Sequence, residues 1–273
     1  MSAGEEPGGA PRFTALVLAG SRGGVDPVAA YAGAQLKCLV PAGGVPMLVR
    51  VVEALLQSPE IERVLVSLPE PALLDGLPAL APHLASGRCR PVASAATPSL
   101  SVLKVVDLVP DAIPLLVTTA DHALLSPAIV AAFCRGARAS GADVAAGLTP
   151  SRALLAAYPE SVRTFLRFRD ERYSGANLFA LLAPVGRKAV LFWRRVEQER
   201  KRPWRLVRAF GLRSLLAYLF RRLTLDEAMG RASEVIGVRA AAVRLFIPEA
   251  CIDVDKPADL DLVNAILARR AAG

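Results

Sequence analysis

From Phe13 onward the chain alternates short β-branched or Leu-rich runs with longer segments of helical spacing, and this order limits the fold most strongly. A parallel strand pair needs a crossover, and a helix is the usual one, so such alternation points to an α/β fold with a mainly parallel sheet. Thr14 to Ala19 reads as the first buried strand, Met47 to Gln57 as a helix, and Ile61 to Ser67 as the second strand. Pro91 to Ala93 is a short third strand, with a helix from about Leu100 to Val109. Ile113 to Thr119 is an apolar run ending at Thr118-Thr119-Ala120-Asp121. Pro127 to Ser140 then reads as a helix and Ala142 to Leu148 as a strand. After Pro150, Val162 to Asp170 alternates as a half-exposed strand would, and Gly175 to Leu182 is extended. Helices are expected over about Pro184 to Glu199, Trp204 to Arg222 and Thr224 to Ile236. Val238 to Phe246 and Ala250 to Val254 read as extended, and Pro257 to Arg269 as a closing helix with proline in its first turn.

With 53% apolar side chains over 273 residues the chain can bury one large core. Residues 13–273 are expected to form a single domain carrying a basic helical insertion at about 184–236. Residues 1–12, rich in Gly, Pro and Glu, are expected to be a disordered leader; they lack the apolar segment of a signal peptide. Cys38, Cys89, Cys134 and Cys251 are widely separated, which argues against a zinc site or a disulfide framework and suits a reducing cytoplasm. No apolar run is long enough to span a bilayer. The net charge of +8 is local: Arg187 to Arg222 holds twelve Lys or Arg against two Glu, so the remainder is slightly acidic.

The first strand runs into Leu18-Ala19-Gly20-Ser21-Arg22-Gly23-Gly24, whose backbone N–H groups could cradle phosphate oxygens, with Arg22 adding charged donors. A plain glycine-rich turn is the alternative. Lys37, close behind and flanked by apolar residues, is either a phosphate partner or a surface lysine packing its stem. Asp121 lies just past a strand end, where open α/β sheets bind ligands, and can hold Mg²⁺ or cap the next helix. His122 is read as structural. Asp253, Asp255 and Asp259 form a second acidic cluster; Asp253 and Asp255 would point the same way in an extended chain, while Asp255 could instead cap the closing helix.

Leu18-Ala19-Gly20 with its basic glycine loop, followed by a lysine ahead of a Gly-Gly-x-Pro-Met-Leu turn, resembles the molybdenum cofactor guanylyltransferase-like (MobA-like) NTP transferase family. Thr118 to Asp121, Ser174-Gly175-Ala176-Asn177-Leu178-Phe179 and Asp253 to Leu260 extend the likeness in order. Ser101-Val102 resembles the nucleotide-contacting Ser-Val of related cytidylyltransferases. The resemblance implies a three-layer, Rossmann-like sheet of the nucleotidyltransferase (GT-A-like) type. It also implies transfer of NMP from CTP or GTP to a phosphorylated acceptor, small or lipid-linked, with release of pyrophosphate. In its terms Leu18, Ala19, Gly20, Ser21, Arg22, Gly23, Lys37, Ser101 and Asp121 bind nucleotide, and Lys37, Arg22 and Asp121 serve catalysis. Gly175 and Asn177 face the acceptor, and Asp121 with Asp253 or Asp255 holds Mg²⁺. The chain departs from the family at Val25-Asp26-Pro27, where Arg-Met-Gly is usual and about ten residues intervene before Lys37.

The basic segment has no counterpart in those motifs. Leu206, Val207, Phe210, Leu215, Tyr218, Leu219 and Leu223 recur at helical spacing among Arg205, Arg208, Arg213, Arg221 and Arg222, with Trp204 at one end. Two uses fit: an amphipathic helix packed on the sheet, or a 187–223 surface touching anionic membrane or a lipid-like acceptor at the inner face of the membrane. Nucleic acid is not expected, since no recognition module or stacking platform is present. The competing function class is a nucleotide-binding or membrane-binding protein that keeps the fold without turnover.

Overall fold

The computed structural model describes residues 10–20, 24, 26–109, 111–198 and 212–272. Its principal sheet contains β1 (Phe13–Leu18), β4 (Ile61–Leu68), β5 (Cys89–Ala93), β6 (Leu115–Thr119), β7 (Val144–Pro150), β9 (Arg172–Leu181) and β10 (Ala240–Arg244). The spatial order is β10-β7-β9-β6-β1-β4-β5. All neighbours are parallel except β9, which runs antiparallel to both β6 and β7. A two-stranded ribbon, β2 (Pro41–Ala42) with β3 (Val45–Pro46), stands apart.

Side chains of β1 show why the sheet is covered on both faces. Phe13, Ala15 and Val17 point into a core shared with Leu48, Val52 and Leu55 of α2 (Met47–Leu56) and with Ile129 and Phe133 of α5 (Pro127–Ala139). Leu16, on the opposite face, packs with Val102 and Leu103 of α4 (Pro98–Leu108) and Val190 of α7 (Arg187–Gln198). Alternate residues of one strand thus serve two apolar layers, giving the three-layer α/β architecture.

Beside β1 the strand order reverses: the chain builds outward through β4 and β5, then returns to place β6 on the other flank. At such a reversal the loops beyond the strands' carboxyl ends diverge and leave a crevice. The glycine loop follows β1 and Asp121 follows β6, so both line it.

Three sequence expectations are revised. Of Val162 to Asp170 only β8 (Leu166–Arg167) pairs, against Tyr173 and Arg172, because Arg163 turns inward to bond Asp253. The Ala250 to Val254 segment is not a strand: Pro248–Cys251 form a 3₁₀ turn, and Ile252 and Val254 are buried beneath the site. The roughly ten residues that intervene before Lys37, for which no helix was expected, contain α1 (Pro27–Ala32), capped by Asp26, whose carboxylate accepts from Val28 and Ala29 N–H at 2.9 and 3.1 Å. Two further helices, α3 (Ala81–Ala85) and α6 (Ser151–Ala157), were not anticipated.

Gly136 in α5 has no room for a side chain, since a Cβ there would lie 2.6 Å from Cγ1 of Val243. Gly136→Ala is expected to destabilise by about 1–2 kcal/mol, the overpacking cost exceeding the helix propensity gained. A lower urea midpoint at unchanged slope, restored by adding Val243→Ala, checks this.

Candidate active site

Lys37 is the hub of the crevice. It begins the 3₁₀ turn Lys37–Leu39, whose Cys38 is buried and anchors the turn to the core. Its Nζ donates to Asp121 Oδ2 at 2.6 Å and to Asp255 Oδ1 at 3.1 Å. Burial pulls the ammonium towards neutrality, but the two carboxylates outweigh it and hold the Lys37 pKa above its ordinary value. The other Asp121 oxygen, Oδ1, is buried without a hydrogen-bond partner among the described residues. The Asp121 carbonyl accepts from Val254 N–H at 3.1 Å, tying the two acidic loops together.

Asp253 and Asp255 reach this cluster with different partners. Asp253 is turned inward: its carboxylate accepts from Arg163 and from Asn177 Nδ2 (2.6 Å), and its carbonyl accepts a second Arg163 N–H at 2.7 Å. Burial, reinforced by Asp255 and Asp121, pushes the Asp253 carboxyl up to about 6. Asp255 stays exposed and faces Lys37. It does not cap the last helix, α10 (Pro257–Ala272), which follows α9 (Leu225–Ile236); the Asp259 carboxylate reaches back to Asp255 and Lys256 N–H at 3.0 and 3.1 Å. That is the reciprocal half of a capping box, and it frees Asp255 for the lysine. Asp259 also lies 3.5 Å from Arg163, so one nearly buried guanidinium neutralises two carboxylates.

Asn177 owes its position to a bulge in β9. The register runs Ala146 to Phe179 and then Leu148 to Gly175, and Asn177 takes φ +49°. Asn tolerates this left-handed conformation better than most residues, and the bulge directs its amide to Asp253.

The sequence pattern of the MobA-like NTP transferase domain matches residues 15–223. The chain belongs to the MobA-like NTP transferase family. It is thus a nucleotidyltransferase. A hypothetical transferase structure from Thermus thermophilus is 31% identical, over 92% of this chain and 100% of that one, with a TM-score of 0.72. CMP:2-keto-3-deoxy-manno-octonic acid synthetase, solved with CTP, is 17% identical (94% and 99% of the two chains, TM-score 0.55). 4-Diphosphocytidyl-2C-methyl-D-erythritol synthase from Anaerococcus prevotii is 13% identical (94% and 97%, TM-score 0.55). The last two share the fold. No curated protein sequence matches the chain.

In this nucleotidyltransferase the remaining sequence candidates lie around the same sheet edge. Leu18 and Ala19 are held by Ala120 N–H to Leu18 carbonyl (3.1 Å) and Ala19 N–H to Ser67 carbonyl (2.9 Å), and Gly20 is exposed. Ser21, Arg22 and Gly23 lie outside the described residues. Ser101 is buried, and its hydroxyl accepts from Ala95 N–H (2.9 Å) while donating to the Thr97 carbonyl (3.2 Å), which closes the turn ahead of α4. Gly175 is exposed on β9. His122 is fully buried, its ring 3.4 Å from the Glu249 carbonyl, and burial pushes its pKa down to about 4.

Arg163 and Asp259 were missed as site residues. Nothing in the spacing distinguishes Arg163 from Arg167 or Arg169, although Asp259 sits three residues after the N-cap, where a capping-box acid belongs. The first helix of the basic insertion, α7, lies along α4, pinned by Arg187 to Asp107 (2.8 Å) and by Glu197 to Ser99, with Val190 and Trp193 inward.

Proposed function

We propose that the chain transfers NMP from CTP or GTP to a phosphorylated acceptor, small or lipid-linked, in a Mg²⁺-supported cytoplasmic reaction that releases pyrophosphate. The observation that carries this reading is Lys37 clamped between Asp121 and Asp255 at the sheet's switch point. Bound there, the triphosphate would draw the ammonium from its carboxylates. Leu18, Ala19 and Gly20 lead the backbone into the phosphate loop, with Ser21, Arg22 and Gly23 supplying its donors. An acceptor phosphate oxygen attacks the α-phosphorus, the bond from that phosphorus to the bridging oxygen breaks, and pyrophosphate leaves with the electron pair. Positioning and charge supply the catalysis, so no side-chain nucleophile is required.

Among the described residues no group of three or more His, Cys, Asp or Glu forms a ready-made metal centre. Magnesium does not ask for one, since it usually takes one or two carboxylates and completes its shell with water and substrate oxygens. The unpartnered Asp121 Oδ1 is such a donor, and exposed Asp255 is a second. When bound, Mg²⁺ would offset charge on the triphosphate. Asp253, engaged by Arg163 and Asn177, orders the acceptor side with Gly175. Ser101 contributes through the turn it closes. We take residues 13–273 as one domain in which 184–236 builds the acceptor wall. The CTP-bound synthetase of the same fold supports trying CTP first.

The test is pyrophosphate release with Mg²⁺, each of the four NTPs, and polar or lipid extracts as acceptor pools. CTP or GTP is expected to support release. Failure of every NTP with every pool, together with nucleotide binding unchanged by Asp121→Asn, would assign the chain to binding without turnover.

A further inference from the structure

Topology sets the end of the molecule at which the basic insertion emerges. Because β9 is antiparallel, its C-terminus lies at the edge opposite the site, and α7 climbs back until Glu197 meets Ser99 at the start of α4. The described chain therefore leaves α7 at the ligand edge. It resumes with α8 (Leu212–Leu219) beside the N-terminus of β9, where Tyr218 meets Phe168 edge-on at 5.7 Å and Arg169 N–H donates to the Leu223 carbonyl at 2.8 Å.

The end of α8 is turned the wrong way for an ordinary surface helix. Leu216, Leu219 and Phe220, spaced i, i+3, i+4 on one face, are 41%, 61% and 68% exposed, while Tyr218 faces the body. Arg221 closes the helix at φ +53°, and Arg222 lies over the Phe220 ring at 6.0 Å. Neither arginine has an acidic partner among the described residues, so the end of the apolar face carries a positive border.

We propose that this face, Leu216, Leu219 and Phe220 bordered by Arg221 and Arg222, docks on an anionic lipid bilayer and brings the site to an acceptor phosphate at the membrane surface. Apolar side chains enter the headgroup boundary while arginines meet lipid phosphates, and the two contributions add. The choice of a lipid-borne acceptor rests on the nucleotidyl-transfer reading; bilayer binding does not.

Flotation of the full chain with vesicles of phosphatidylcholine alone, or with about 30% phosphatidylglycerol, tests the proposal. Binding is expected only to the anionic vesicles and should fall at high salt. Leu219→Ser/Phe220→Ser and Arg221→Glu/Arg222→Glu should each weaken it on the order of tenfold, leaving nucleotide binding unchanged. Phe220→Trp should show emission quenched by brominated lipid beyond that of the parent. Equal binding to both vesicles, no binding, or doubles that float like the parent would overturn it. So would a dimer, seen by sedimentation, that the same doubles dissolve without any vesicle binding, because a second copy would then own the face. Pyrophosphate release without flotation would refute the membrane alone; flotation without release would refute the reaction alone.

Discussion

Asp121→Asn is expected to lower the rate of NMP transfer by about 10³-fold while the fold is retained, and Lys37→Ala to cost about as much. Asparagine keeps the size and the backbone of Asp121, including the carbonyl that accepts from Val254 N–H. What it removes is charge at the carboxylate that, among the described residues, both holds Lys37 at 2.6 Å and keeps a free, buried oxygen. In the proposed reaction both losses would fall where negative charge builds on the bridging oxygen of the leaving pyrophosphate, so kcat should drop more than KM rises. The double variant should be little worse than either single one, because the two groups act as a unit. Single-turnover rates over a range of Mg²⁺ concentrations measure this. A kcat within threefold of the parent for Asp121→Asn, with matched circular dichroism, would remove Asp121 from the chemistry.

The core of the fold was legible because strand burial is written in short continuous runs. Phe13 to Leu18 and Leu115 to Thr119 carry few polar residues, as strands covered on both faces must, and each runs into a residue of the site. Lys37, Asp121 and Asp255 could be picked out by order along the chain. Their convergence could not, since 84 and 218 residues separate the lysine from its two partners. Short pieces were the weak point. Helix α1 has six residues, too few for a periodic signal, and only Asp26-Pro27 marks its start. The bulge at Asn177 left no sequence mark beyond an asparagine, because register depends on the partner strand. In the basic insertion α7 packs Val190 and Trp193 beside α4; of the residues read there at helical spacing, Leu206, Val207 and Phe210 lie outside the described residues, while Tyr218 turns inward and Leu219 is exposed.

Arg163→Met is the substitution expected to cost most stability. The Arg163 side chain is 8% exposed; its guanidinium bonds the Asp253 carboxylate and carbonyl and lies 3.5 Å from Asp259, whose side chain is 7% exposed. Methionine fills much of the same volume, so the loss is chiefly electrostatic: two carboxylates remain in a half-desolvated pocket without their cation. Breaking a buried pair by removing one partner costs about 3–5 kcal/mol. The lower end applies here, because Asn177 still donates to Asp253 and two backbone N–H groups still donate to Asp259. A loss of about 3 kcal/mol corresponds to a Tm lowered by about 6–10 °C in a chain of this size. Arg163→Lys keeps the charge but not the fork, and should recover only part of it. The discriminating measurement is the pair Arg163→Met/Asp253→Asn. Neutralising Asp253 removes the charge that the methionine strands, so the double variant should be more stable than the sum of the two single losses predicts. Strict additivity in urea midpoints would mean that Arg163 stabilises by packing alone, and that the acidic loop is held in place by α10 rather than by the guanidinium.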